Sequence, residues 1–108
     1  MNLTACIVLT TVGGSFDAAP LARELVEARL AACVNIVPGI RSIYRWKNEI
    51  EEDAEQLLII KTVEPNVDRL REALSARHPY EVPEFMVLKV DAISIAYAEW
   101  LAASVHIP

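Results

Sequence analysis

The chain is short of the residues that define several common functional classes. Its 108 residues include three glycines, two cysteines and two histidines, and only 6% are aromatic. The glycine pair Gly13-Gly14 has no Lys-Ser or Lys-Thr after it, so it lacks the pattern of a phosphate-binding P-loop. Cys6 and Cys33 are too far apart for a C-x-x-C pair, which excludes the usual redox motif and thiolate metal clip. No Ser-His-Asp set with a recognisable local signature is present, and we expect no enzymatic activity.

Basic residues are also scarce, and their deficit sets the sign of the molecular charge. Ten Lys and Arg against fifteen Asp and Glu give a formal net charge of −5. Because an acidic surface repels phosphate backbones and anionic lipids, we expect neither a nucleic-acid nor a membrane partner. The apolar run at residues 3–9 is too short to span a bilayer and has no basic residue before it. We therefore expect a cytoplasmic protein.

Apolar residues, in contrast, make up 54% of the chain, enough for the core of a single domain over residues 1–108. Their spacing alternates between strand and helix periods and predicts the order β-α-β-β-α-β, followed by a C-terminal helix. This order is typical of a ferredoxin-like α+β fold. Its four-stranded antiparallel sheet has the first and third strands in the centre and both main helices on one face. The buried face of the first helix is predicted to carry four residues: Leu21, Leu25, Ala28 and Ala32.

The middle of the chain predicts a long hairpin between the second and third strands. Pro38-Gly39 interrupts the strand pattern, so we expect a bend or bulge there. Acidic residues 51–55 would lie opposite a basic set on the paired strand: Arg41, Arg45 and Lys47. Opposite charges on paired strands stabilise a hairpin. Since the outer half is too polar to cover the core of its own domain, we expect it to project and to pair with another subunit.

A second polar stretch lies at residues 78–84, which read HPYEVPE and join the second main helix to the last strand. His78 either ends the helix and bonds backbone carbonyls or acts as a ligand. A mixed aromatic and charged set could line a cleft between subunits: Tyr44, Trp46, Lys61, Tyr80 and Glu84. Aromatic residues are also enriched in buried contacts between subunits, so this set is either a small-ligand pocket or an interface.

Two blocks of the chain resemble the divalent-cation tolerance family CutA. Residues 31–46 read AACVNIVPGIRSIYRW and residues 52–62 continue as EDAEQLLIIKT, while residues 78–84 form the second block. The resemblance implies a homotrimer built like the PII signalling proteins. It also implies tolerance to copper and other divalent cations, with no enzymatic activity and no organic cofactor.

From this resemblance we expect a weak site for Cu(II) or another divalent metal. The candidate ligands are His78, Cys33, Glu81 and Glu84, although Cys33 lies in an apolar run where burial is the competing interpretation. Copper-binding members resemble a pattern with Cys and a second His where this chain has Thr10 and Arg77. That difference weakens a Cu(I) site most, because Cu(I) selects soft ligands. The alternative expectation is a PII-like signalling or scaffold trimer that binds a small metabolite or a protein partner in the cleft between subunits.

Overall fold

The computed structural model describes residues 3–108 and contains the predicted order of strands and helices. The elements are β1 (Ala5–Gly13), α1 (Ala19–Glu27), β2 (Cys33–Trp46), β3 (Glu49–Val63), α2 (Val67–Arg77), β4 (Met86–Lys89) and α3 (Ile95–Ser104). A short 3-10 turn, Glu64–Asn66, precedes α2. The predicted ferredoxin-like α+β fold with an additional C-terminal helix is therefore confirmed.

The strands pair in the order β2-β3-β1-β4, and all the pairs are antiparallel. The prediction that the first and third strands are central is thus confirmed. Even-numbered residues of β1 and β3 point towards α1 and α2, which we call the covered face of the sheet. Its buried core contains Val8, Val12, Leu21, Leu25, Leu58, Ile60, Leu70 and Leu74. Alternation along each strand sends the odd-numbered residues of β1 and β3 to the opposite side.

That opposite side, which we call the open face, is largely apolar but only partly buried. Its side chains come from three strands: Ile7, Leu9, Leu57, Ile59, Met86 and Leu88. Met86 is 50% exposed and Leu88 is 51% exposed. At one end, α3 covers this face, where Leu101 and Val105 pack with Ala5 and Val63. The open face is therefore a hydrophobic surface that α3 of the same protomer covers only at one end.

The hairpin of β2 and β3 extends beyond the rest of the sheet. β1 ends at Gly13, opposite Glu55, and the paired segments 41–46 and 49–54 continue past it. Lys47 and Asn48 form a two-residue turn with φ values of 50° and 66°, as a type I′ turn requires. Among residues 3–108, Arg41 is the member of the predicted basic set that forms an ion pair, 2.5 Å from Glu52. The hairpin and its projection were correctly predicted. The expected charge pairing was wrong for two of the three basic residues, because Arg45 lies opposite Ile50 and Lys47 lies in the turn.

The expected irregularity at Pro38-Gly39 is also present. The pairing register shifts between Val37 and Ile40, so that β2 carries one more residue than β3 over this interval. Gly39 has a φ of 75°, in the region that favours glycine. The structure therefore confirms a bulge where the strand pattern was interrupted.

The predicted buried face of the first helix is right for its first two residues and wrong for the last two. α1 ends at Glu27, Ala28 is exposed, and Ala32 is buried outside the helix. Arg29 has a φ of 59°, and this left-handed residue ends the helix. The following N–H, that of Leu30, then bonds back to the Leu25 carbonyl at 3.1 Å. A non-glycine residue in this conformation carries no clear signal in the sequence.

Candidate functional cavity

A cavity of about 520 Å³ lies on the open face, at the end away from α3. One wall is the base of the hairpin, and the other is the segment at residues 78–84. Alternation along β2 points Tyr44 and Trp46 into the cavity, and Tyr80 faces them from the opposite wall. These aromatic side chains are each more than a third exposed. The cavity therefore combines a substantial volume with uncovered aromatic surface.

The same walls carry carboxylates from two parts of the chain. They are Asp53 and Glu55 of β3, and Glu81 and Glu84 of the 78–84 segment. Among residues 3–108, no Lys, Arg or His side chain lines the cavity. The ion pairs found in that range join other carboxylates, namely Glu24, Glu52, Glu64 and Asp68. The cavity therefore holds acidic groups that no basic side chain of the described chain neutralises.

Two tyrosine hydroxyls hold two of these carboxylates in place. The Tyr80 hydroxyl donates to Glu55 at 2.5 Å, and the Tyr44 hydroxyl donates to Asp53. The hydrogen bond to Asp53 raises the pKa of Tyr44 to about 12. Burial, followed by the hydrogen bond to Glu55, raises the pKa of Tyr80 above its ordinary value. Both phenols are therefore protonated donors at neutral pH.

Glu55 differs from the other cavity carboxylates in its burial. It is 6% exposed, and its identified hydrogen-bond partner is the Tyr80 hydroxyl. Burying a carboxylate is costly unless a cation or several donors compensate it. Within residues 3–108 Glu55 forms no ion pair, so the single hydrogen bond from Tyr80 is the compensation identified for it.

His78 ties the 78–84 segment to β1. Its Nδ1 accepts from the Tyr80 N–H at 3.1 Å, which leaves the proton of the neutral ring on Nε2. Nε2 donates to the Thr11 carbonyl at 2.8 Å and lies 3.2 Å from the Thr10 hydroxyl. Burial lowers the pKa of His78, an effect opposed by the bond to Thr11 and by the charge of Glu55. Both ring nitrogens are thus occupied in one protomer.

The predicted metal ligands lie in different places in one protomer. Glu81 and Glu84 line the cavity, and His78 lies behind its wall. Cys33 is on the first part of β2, where it pairs with Lys61, and its thiol contacts Asn35 Oδ1 at 3.7 Å. It is partly exposed and not buried in the core. In the part of the chain that the structure describes, no three His, Cys, Asp or Glu side chains are grouped to hold a metal ion.

Most of the predicted cleft set comes together in one protomer. The cavity wall contains Tyr44, Trp46, Tyr80 and Glu84. Lys61 is outside it, since it pairs with Ile7 and Cys33 nearer the other end of the sheet. Its participation through another subunit stays a prediction.

Two wall residues, Asp53 and Glu55, were not selected from the sequence, where acidic residues 51–55 were interpreted as partners of the basic set on the paired strand. A signal existed, because their period of two places them beside the face of Tyr44. The burial of Glu55 had no such local signal.

The fold and the cavity define a ferredoxin-like α+β protein with a projecting hairpin and an acidic, aromatic cavity at its base. The family described as "CutA1 divalent ion tolerance protein" matches residues 6–104. The chain belongs to this family, as its two sequence blocks indicated.

Similar proteins cover most of the chain. The divalent-cation tolerance protein CutA of Thermus thermophilus is 48% identical over 95 residues, which are 88% of this chain and 92% of that protein. The chloroplastic CutA 1 of Oryza sativa is 45% identical over 95% of this chain, which spans 58% of the length of the rice protein. The crystal structure of CutA1 from Oryza sativa matches with a TM-score of 0.91 and 42% identity, covering 96% of this chain and 95% of that one. Within residues 3–108, no helix is long and apolar enough to cross a membrane.

Proposed function

We propose that the protein is a cytoplasmic, non-enzymatic homotrimer that contributes to divalent-cation tolerance by binding copper or another divalent ion weakly. Family membership supports the general role. The observation that carries the proposal is the set of cavity carboxylates that no described basic residue neutralises. Carboxylate oxygens bind Cu(II) and harder divalent ions, and their charge attracts cations from solution.

The available donors fit an oxygen site better than a thiolate or imidazole site. Cys33 lies away from the cavity, and His78 would have to break two hydrogen bonds to release a nitrogen. Glu81 and Glu84 are therefore the first ligands to test. In this proposal, a neighbouring subunit supplies further donors to the metal ion.

The open face supports the trimer. Apolar surface such as that of Met86 and Leu88 is costly in water and marks contact surfaces when it is contiguous. The hairpin ends in two further exposed apolar side chains, Ile43 and Ile50. In the proposed assembly, the hairpin of one protomer extends the sheet of the next. The apolar parts of the open faces around Met86 and Leu88 are buried against each other, and the cavity ends of these faces form clefts between subunits.

Sedimentation equilibrium tests the assembly. We expect a trimer at micromolar concentration, and we expect Leu88→Glu to dissociate it because a charge would be buried in the contact. Ser75→Glu introduces the same group on the exposed surface of α2 and serves as the matched control. A monomeric wild type, or a trimer insensitive to Leu88→Glu, would contradict the proposed interface.

Copper titration by calorimetry tests the cation. We expect the double variant Glu81→Gln, Glu84→Gln to weaken Cu(II) binding at least about tenfold, since charged ligands contribute more than neutral amides. Glu72→Gln on α2 removes a carboxylate from another surface and should leave the affinity unchanged. Unchanged affinity in His78→Ala would show that this histidine is not a ligand. The absence of Cu(II) and other divalent binding in the wild type would refute the metal-binding proposal.

A second candidate is a PII-like trimer that binds a small metabolite or a protein partner. The observation that favours it is the size of the cavity, about 520 Å³, which lies in the range of organic-ligand pockets and exceeds the needs of one ion. A thermal-shift screen with metals and metabolites separates the two, because ligand stabilisation grows with concentration over Kd. A shift with a metabolite and none with copper would favour this candidate.

A further inference from the structure

The cavity specifies the chemical class of its organic ligand. We propose that it binds an organic cation of the alkylammonium class, with the charged head against Glu55 and the hydrocarbon part against the aromatic rings. This inference rests on the second candidate function, in which the cavity is a metabolite site.

The charge of the cavity requires a cationic ligand. Glu55 is buried, accepts one hydrogen bond from Tyr80 and has no ion pair within residues 3–108. Asp53 is beside it on the same strand face, held by the Tyr44 hydroxyl. An ammonium head supplies the positive charge and N–H donors that this buried carboxylate lacks. An anionic ligand would meet repulsion from every carboxylate of the walls.

The aromatic walls of the cavity favour a ligand that carries hydrocarbon groups as well as a positive charge. Tyr44, Trp46 and Tyr80 line the cavity and are each more than a third exposed. The Lys47 ammonium lies 5.8 Å from the centroid of the Trp46 ring, so this ring already attracts a cation. A bare metal ion would cover none of that surface, whereas methylene groups would remove it from water. A cation over an aromatic face is further attracted by the ring quadrupole. The combination of aromatic faces and carboxylates is the arrangement that recognises organic ammonium ions.

A lysine from a second copy of the chain is the competing occupant. Lys61 is outside the cavity of its own protomer. Its side chain is itself an alkylammonium, so in an assembly it could take the place of a free ligand. The ligand proposal requires the wild-type cavity to accept a free amine with Lys61 in place.

Calorimetry with putrescine, at 150 mM salt to screen nonspecific attraction, tests the proposal. 1,4-Butanediol has the same four-carbon chain without charge and is the matched ligand control. We expect saturable binding of putrescine, at least about tenfold tighter than that of the diol, since charged hydrogen bonds are the stronger ones. Equal binding of the two, or no putrescine binding, would overturn the proposal.

Variants locate the binding. Glu55→Gln keeps the size and the acceptor for Tyr80 but removes the charge, and should weaken putrescine binding about tenfold or more. Trp46→Leu should weaken it about threefold or more by removing an aromatic face on a partly exposed side chain. Glu72→Gln has the same charge change on α2 and should have no effect. Equal losses in Glu55→Gln and Glu72→Gln would show general charge attraction and refute the site.

Lys61→Met separates the two occupants. Putrescine binding that appears only in this variant would show that a neighbouring lysine fills the wild-type cavity, which overturns the proposal. A wild type that fails to bind putrescine but shows a thermal shift with a different class of metabolite would refute this inference and leave the second candidate function standing. A wild type that shows neither putrescine binding nor a thermal shift with any metabolite would refute both this inference and the second candidate function.

Discussion

The two faces of the sheet carry similar apolar residues but differ in how far one chain buries them. On the covered face, Val8, Leu58 and Ile60 are fully buried beneath two helices. On the open face, the neighbouring residues Leu9, Leu57 and Ile59 remain partly accessible. The strands therefore carry apolar side chains on both sides, as expected for strands that are buried on both faces.

This difference separates what stabilises the fold from what remains available for contact. The covered face closes within one chain. The open face is covered by α3 at one end and bordered by the acidic cavity at the other. The proposed assembly and the proposed ligand binding therefore both use the side of the sheet that α1 and α2 leave uncovered.

The largest expected effect is on the free energy of unfolding, and it distinguishes two adjacent leucines on opposite faces of the sheet. Leu58→Ala should lower the free energy of unfolding by about 3 kcal/mol at any protein concentration, because it leaves a cavity in a closed core. Leu57→Ala should cost less in dilute solution, and its cost should increase with concentration if assembly buries it. Urea denaturation at two protein concentrations measures both. Equal, concentration-independent costs would remove the distinction between the faces.

An intermediate effect is expected at His78, where the chain passes from α2 to the open face. His78→Ala should lower the free energy of unfolding by about 2 kcal/mol at pH 8, since two hydrogen bonds to the 78–84 segment and β1 are lost. The folded pKa lies below the usual value near 6.5, so the unfolded chain takes up the proton first. The contribution of His78 is therefore complete above about pH 6.5 and decreases as the pH falls below it.

Denaturation of wild type and variant between pH 8 and pH 5 measures this dependence. The difference between them should narrow on acidification. His106→Ala removes the other, exposed histidine and serves as the control. A difference that widens at low pH would show that the sign of the shift is wrong.

The smallest effect concerns the partial cover of the open face. Ser94 caps α3 by accepting from the Tyr97 N–H at 3.4 Å. Ser94→Ala should cost about 1 kcal/mol, the usual value for a lost N-cap. Hydrogen exchange should become faster in α3 and stay unchanged in α1. Equal acceleration in both helices would mean that α3 does not unfold independently of the covered core.

The fold was predictable because its signals are local and repeated. Alternation in β2 correctly predicted that Tyr44 and Trp46 share a side, and Pro38-Gly39 marked the bulge. The burial of Glu55 was not predictable in the same way, since it depends on Tyr80, 25 positions along the chain, folding over it. The separation of Cys33 from the cavity likewise follows from strand register and not from spacing.

The bulge at Gly39 also fixes which half of the alternation enters the cavity. Before it, odd-numbered residues of β2 share the side of Leu57; after it, even-numbered residues share the side of Glu55. If the same residues paired without this bulge, the alternation would turn Arg41 and Arg45 towards the carboxylates in place of Tyr44 and Trp46. The extra residue at the bulge therefore decides the charge of the cavity wall, because it determines whether aromatic or basic side chains of β2 face the carboxylates.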